Sequence, residues 1–276
     1  MTSQHVVLVT GASGDIGRET VRILLEELGA SVVATDIVLG AALDGHQKKY
    51  PGRLEVVIGD IVDPTISEKS VALAVQKFGK LTGVCLNAGV FGPGYPIDDA
   101  PVDKWEQAFR INVLSHLHTL KYALPELRKT KGRITSTTSA AGAEALFKRW
   151  GFYGVSKAAV GFLVKQVALE ERENGVTAIG ISPGLCDTQM VAGLLKGNQD
   201  GWGEKEAAKY HDFVSKIELT SPTVAGNAYA QAVTKADPGL SGLLVEYDDP
   251  RLPIAEHLKR KSAAVDYTKA SAEAGK

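Results

Sequence analysis

Cysteine is scarce: Cys85 and Cys186 are the only two in 276 residues, each in an apolar, strand-like stretch. So few leave no disulfide framework to organise the fold; two buried thiols and a reducing compartment are the expectation. Metal-ligand spacing is missing too. His116 and His118 stand two apart in a helical stretch, so they point to different faces, and no metal is expected. Charge of one sign is not in excess. A formal net charge of −1 gives no electrostatic reason to expect nucleic acid or an anionic membrane as partner. No apolar run approaches the roughly 20 residues of a bilayer span. Met1 to His5 lead straight into a strand-like run, which leaves no room for a signal peptide. A soluble, cytoplasmic protein is expected.

What is present is alternation. Hydrophobic residues make up 44% of the chain, enough for a substantial core. Short Val- and Ile-rich runs read as strands at His5–Thr10, Ser31–Asp36, Leu54–Gly59, Thr82–Asn87, Arg133–Thr138, Val176–Ser182 and Gly242–Glu246. Helical stretches fall between them at Asp15–Leu28, Pro64–Phe78, Val102–Arg128, Tyr153–Asn174 and Pro222–Thr234. This order predicts an α/β fold: a single Rossmann-type domain over residues 1–253, with a doubly wound parallel sheet of about seven strands and helices on both faces. Two segments interrupt it. Residues 189–211 form a glycine-rich insertion, either a lid over a pocket or a surface excursion. Residues 254–276 read as a charged tail.

The first strand runs into Gly11, Ser13, Gly14, Asp15, Ile16 and Gly17, where a helix opens. Glycines there permit a tight turn and close approach to a pyrophosphate, and the helix start offers free amides and positive dipole. Asp36 ends the second strand 19 residues after Gly17, with no Arg or Lys nearby. An acid at that point accepts hydrogen bonds from ribose hydroxyls and repels a 2′-phosphate, so NAD(H) is expected and NADP(H) is less expected. A strand-end Asp that only caps the next helix is the alternative.

Tyr153 and Lys157 are four residues apart and share a helix face, and Ser139 lies 14 residues before Tyr153. An ammonium beside a phenol favours the phenolate, so the Tyr153 pKa is expected to fall from its ordinary value near ~10. Such a phenol passes a proton to or from an alcohol oxygen.

With these pieces together, the chain resembles the short-chain dehydrogenase/reductase family over about 250 residues. The likeness rests on Thr10–Gly17, Asp60-Ile61, Asn87-Ala88-Gly89, Asn112, Ser139, Tyr153/Lys157 and Pro183-Gly184-Leu185-Cys186-Asp187-Thr188. It implies Tyr153 as general acid or base, Lys157 as its partner and a ribose ligand, and Ser139 as the group that holds the substrate oxygen. It implies that Asn112 holds a water linking Lys157 to solvent, and that Asp60 with Ile61 meets the adenine. Asn87, Ala88 and Gly89 would pass close to the cofactor, and Pro183, Gly184 and Thr188 would hold its carboxamide end. Pro183–Met190 and Glu246–Leu252 also resemble fungal benzil-reductase and sepiapterin-reductase-like members, which commonly prefer NADPH. Asp36 argues against that habit here.

Two departures from the family pattern matter. Asp15 stands where short-form members usually have glycine; its carboxylate is expected to turn away from the phosphates or cap the helix. The gap from Ser139 to Tyr153 is one residue longer than usual, which predicts an extra residue looped out in Glu144–Gly151. Phe91, Tyr95, Ala140, Phe147, Trp150, Phe152, Leu185, Met190 and Leu194 are the expected substrate walls, each aromatic being alternatively ordinary core. They suit an uncharged aromatic or alicyclic ketone or secondary alcohol. Family members assemble through long helices, and Val113–Leu127 and Val155–Leu169 have the apolar content for a homodimer or homotetramer. Two other readings are an NAD-dependent epimerase/dehydratase, suggested by the glycine spacing, and a non-catalytic dinucleotide sensor. The first needs a larger C-terminal domain than the chain has beyond Pro183; the second has no need of Ser139, Tyr153 and Lys157 together.

Overall fold

A computed structural model describes residues 4–144 and 147–254. Seven strands run in chain order: β1 Val6–Thr10, β2 Ser31–Asp36, β3 Leu54–Ile58, β4 Gly83–Leu86, β5 Arg133–Thr137, β6 Thr177–Ser182 and β7 Leu244–Glu246. They pair in the order β3-β2-β1-β4-β5-β6-β7, and all neighbours are parallel. Every residue of β1, β4 and β6 is buried, which is why these runs carry no polar alternation.

Helices cover both faces. α1 (Asp15–Glu26), α2 (Ala41–Lys49) and α9 (Pro222–Lys235) pack on one side, around Val21, Leu24, Leu43 and Tyr229. α3 (Pro64–Phe78), α5 (Ser115–Thr130) and α6 (Gly151–Glu170) cover the other, around Val71, Leu120, Leu127 and Val164. Local signals set the ends. In α3, Asp63 accepts the Thr65 amide at 2.9 Å, Pro64 occupies the first turn, and Gly79 closes the helix at φ +79°. α9 starts the same way, on Ser221 followed by Pro222.

The helical stretch expected over Val102–Arg128 is interrupted. α4 (Val102–Phe109) passes into a π-helical turn, Arg110–Leu114, before α5 begins. The insertion is not irregular: it contains α7 (Gln189–Leu195) and most of α8 (Glu204–Val214). Ile254 packs against the core, and the remainder of the charged-tail stretch lies outside the described residues. Among the described residues no helix is long and apolar enough to cross a membrane.

In the sheet order β1 is flanked by β2 and β4, whose connections leave in opposite directions. This switch opens a crevice beyond the strand ends, where an open α/β sheet offers its ligand site.

Candidate active site

β1 delivers Thr10 and Gly11 to the crevice. Thr10 Oγ1 accepts the amides of Asn87 at 3.1 Å and Ala88 at 3.2 Å, and Asn87 Nδ2 donates to the Gly11 carbonyl at 3.1 Å. Gly11 has φ +64°, and a Cβ there would stand 2.8 Å from Ala88 Cα. Gly14 caps α1 and has no side chain to satisfy the helix's first amides. Gly11, Ser13, Gly14, Asp15 and Ile16 line a cavity of about 740 Å³, together with Asn87, Ala88 and Gly89.

Gly17, expected among the cofactor contacts, does not line the cavity. A Cβ at Gly17 would fall 2.0 Å from the Gly11 carbonyl oxygen, so its role is to let α1 close onto the turn.

Asp36 does line the cavity. One carboxylate oxygen accepts the Ser13 amide at 2.7 Å and the other the Ile37 amide at 2.7 Å. The Val38 amide adds a longer contact at 3.4 Å to the same oxygen as Ile37; with about four acceptor directions on a carboxylate, Asp36 retains one for a hydroxyl donor, on the oxygen that takes Ser13. Asp60 and Ile61 stand on the same side, with Asp60 also accepting the Val62 amide at 3.0 Å. The residues present fit a dinucleotide: uncapped amides at the start of α1, a backbone too close for any side chain at Gly11, and an acid at the end of β2.

At the far end of the cavity Ser139, Tyr153 and Lys157 come together. Ser139 follows β5, and its hydroxyl accepts the Ala141 amide at 3.2 Å and pairs with the Tyr153 phenol. Tyr153 and Lys157 lie on α6, one turn apart. The expected lowering of the phenol pKa is overturned. Desolvation pushes Tyr153 up to about 12, outweighing the opposite pull of the Ser139 hydrogen bond. The Lys157 ammonium goes elsewhere: it donates to the Thr137 carbonyl at 2.8 Å and stands 5.7 Å from the centroid of the Tyr153 ring. Burial pulls Lys157 down to about 8. Tyr153 is therefore a protonated phenol at neutral pH.

Asn112 sits in the π-helical turn, wholly buried and outside the cavity lining. Its side chain is engaged with protein partners. Oδ1 accepts the Val90 amide at 2.8 Å, and Nδ2 donates to the Val90 carbonyl at 2.8 Å and to Ser156 Oγ at 3.0 Å. This clamp fixes the loop after β4, with Gly89 next to Lys157 Nζ. Burial, with the Lys157 charge adding to it, pushes His116 down to about 3, so that ring is neutral.

Pro183, Gly184 and Thr188 line the cavity after β6. So do Phe91, Ala140, Phe147, Trp150, Leu185, Met190 and Leu194. Phe152 does not: it is buried on the other side of α6, edge-on to Trp105 at 5.5 Å and over Gly92. Tyr95 is likewise no wall; its hydroxyl donates to Asp200 Oδ1 at 2.8 Å. Tyr210 and Phe213, both from α8, line the cavity in addition, Phe147 packing edge-on to each at 5.5 and 5.0 Å. The Glu144–Gly151 stretch holds Arg149 in the left-handed conformation, φ +68°, with its guanidinium donating to the Gly201 carbonyl at 2.7 Å. Ala145 and Leu146 lie outside the described residues.

A family model described as short chain dehydrogenase matches residues 5–199. The chain belongs to the short-chain dehydrogenase/reductase family. An uncharacterised oxidoreductase of Schizosaccharomyces pombe is 34% identical over 250 residues, covering 89% of this chain and 97% of the relative. A benzil reductase ((S)-benzoin forming) of Saccharomyces cerevisiae is 31% identical over 256 residues, covering 90% and 97%. The crystal structure of a short-chain dehydrogenase/reductase from Saccharomyces cerevisiae superposes with a TM-score of 0.82 at 31% identity, covering 90% of this chain and 98% of that one. This short-chain dehydrogenase/reductase is therefore an oxidoreductase acting on CH–OH groups, of a family that binds nicotinamide cofactors.

Proposed function

We propose that this enzyme reduces an uncharged aromatic or alicyclic ketone to a secondary alcohol, and runs the reverse oxidation, with NAD(H). One observation carries the reading. Ser139, Tyr153 and Lys157 share a single cavity with the Gly11–Ile16 loop and Asp36, and Phe91 and Trp150 flank the Tyr153 ring at 5.3 and 5.8 Å.

A dihydronicotinamide held by the Gly11–Ile16 loop, Asp36 and the Pro183–Thr188 segment would supply a hydride for the carbonyl carbon. Tyr153 gives its phenolic proton to the carbonyl oxygen, and the Ser139 hydroxyl hydrogen-bonds the same oxygen as negative charge develops. Lys157, charged at neutral pH, stabilises the phenolate that remains. In oxidation the phenolate accepts the alcohol proton. Asn112 positions: it holds the loop that carries Gly89 against Lys157.

Cofactor choice follows from charge. Lys157 is the only Lys or Arg among the described cavity-lining residues, while Asp15, Asp36 and Asp60 are acidic. A 2′-phosphate near Asp36 would find repulsion and no cation, which favours NAD(H) over NADP(H). The substrate class follows from Phe91, Phe147, Trp150, Tyr210 and Phe213, with no charged side chain among them to pair with a carboxylate. The similarity to a benzil reductase supports the same class.

For assembly we propose a homodimer or homotetramer through α5 and α6. Leu117, Val155, Phe162 and Leu169 on these helices are half or more exposed, an apolar surface a second copy would cover.

The experiment is NADH and NADPH consumption against a panel of aryl, alicyclic and carboxylated ketones. Turnover of aryl or alicyclic ketones with NADH is expected. Turnover confined to carboxylated ketones, or to NADPH, would contradict the reading.

A further inference from the structure

Asp15 is the first residue of α1 and lines the cavity beside Gly14 and Ile16. Its carboxylate neither points to solvent nor caps its own helix; the side chain is 12% exposed. Oδ1 pairs with Arg18 Nη2 at 3.1 Å. Oδ2 accepts the amide of Gln189 at 2.7 Å, across 174 residues of sequence. Gln189 opens α7, the helix that presents Met190, Val191 and Leu194 to the substrate end of the cavity.

The insertion has a second anchorage. Asp200 accepts from Tyr95 Oη at 2.8 Å and from Lys104 Nζ at 2.5 Å, and its carbonyl accepts the Gly94 amide at 2.8 Å. Arg149 adds its bond to the Gly201 carbonyl and an ion pair to Glu206 at 3.3 Å. α7 runs between these two attachments, and the Asp15 contact is the one made by the glycine loop.

We propose that Asp15 is a positioning residue that seats the start of α7 on the glycine loop, so that the segment holding the coenzyme pyrophosphate also places the substrate wall. The inference about coenzyme rests on the dinucleotide reading of that loop; the seating itself does not. A pyrophosphate at the start of α1 brings negative charge beside a carboxylate. Like charges there weaken both the coenzyme's hold and the Asp15–Gln189 bond. Affinity and α7 seating are then reciprocally linked.

Two substitutions separate hydrogen bond from charge. Asp15→Asn keeps an acceptor for the Gln189 amide and removes the charge; Asp15→Gly removes both. Hydrogen exchange of the α7 amides is followed in the full-length protein with and without NADH, alongside NADH binding by fluorescence titration and a urea unfolding curve. Without NADH, Asp15→Gly is expected to exchange at 189–195 roughly tenfold faster than the parent, as loss of a charged hydrogen bond implies. Asp15→Asn is expected to retain protection and to bind NADH more tightly than the parent, by about threefold or more. NADH is expected to speed exchange at 189–195 in the parent and not in Asp15→Asn. Equal exchange in Asp15→Gly and the parent overturns the seating. Unchanged or weaker NADH binding by Asp15→Asn overturns the coupling. Absence of NADH binding by the parent defeats the dinucleotide reading, while the exchange comparison without NADH still decides the seating.

Discussion

Lys157 sends its ammonium past Tyr153, 5.7 Å from the ring centroid, to the Thr137 carbonyl at 2.8 Å. The two groups therefore titrate in opposite senses. Burial lifts the phenol to about 12 and lowers the ammonium to about 8. Ketone reduction is expected to be level near neutrality and to fall as pH rises through about 8, when Lys157 loses its charge. Stability moves the other way. The folded pKa of Lys157 lies below its unfolded value of 10.5, so between about 8 and 10.5 the unfolded chain binds more protons. In that window this group makes stability rise with pH. A pH-rate profile, with urea midpoints of parent and Lys157→Met from pH 7 to 10, checks both. The difference between the two proteins should narrow or change sign in favour of the parent as pH increases.

Asp36 is the acid on which cofactor choice rests. Asp36→Ala is expected to raise the ratio of kcat/KM for NADPH over NADH by roughly tenfold or more, the equivalent of about 1.4 kcal/mol. Steady-state kinetics with both cofactors measure it. An unchanged ratio removes the carboxylate from the argument.

Gly17 is a test of packing rather than of binding. With a Cβ only 2.0 Å from the Gly11 carbonyl oxygen, Gly17→Ala must shift α1 or the turn. A loss of about 3 kcal/mol, at the upper end for overpacking, is expected in urea unfolding.

Phe162 is 69% exposed on α6. If α5 and α6 are covered by a second copy, Phe162→Glu places a charge in that contact and lowers the assembled mass in size-exclusion chromatography with light scattering. A parent that already elutes as a monomer contradicts the assembly.

The strands and principal helices were legible in the sequence because their apolar runs are long and their ends carry signals, such as Asp63-Pro64 and Ser221-Pro222. α2 was not, because its nine residues bury only Leu43 and include Gly45. α7 and α8 were hidden by the glycines around them; their positions are set by Trp202, buried against Phe91, and by the Asp15 and Asp200 contacts across the chain. Phe152 shows the limit of adjacency. One helical step from Tyr153 turns a side chain by roughly 100°, which carries it off the cavity and into the core. The direction of the Tyr153 shift is set by desolvation, which spacing does not show: the sequence places a lysine near, but not how much water both groups lose.

The most direct test is single-turnover reduction of an aryl ketone by saturating NADH, comparing the parent with Tyr153→Phe. The phenol is assigned the proton and no part in holding the nucleotide phosphates. Tyr153→Phe should lose about 10²–10⁴-fold in rate while its NADH dissociation constant stays within about threefold of the parent's. A rate equal to the parent's at equal NADH occupancy would contradict the assignment of Tyr153 as the proton donor.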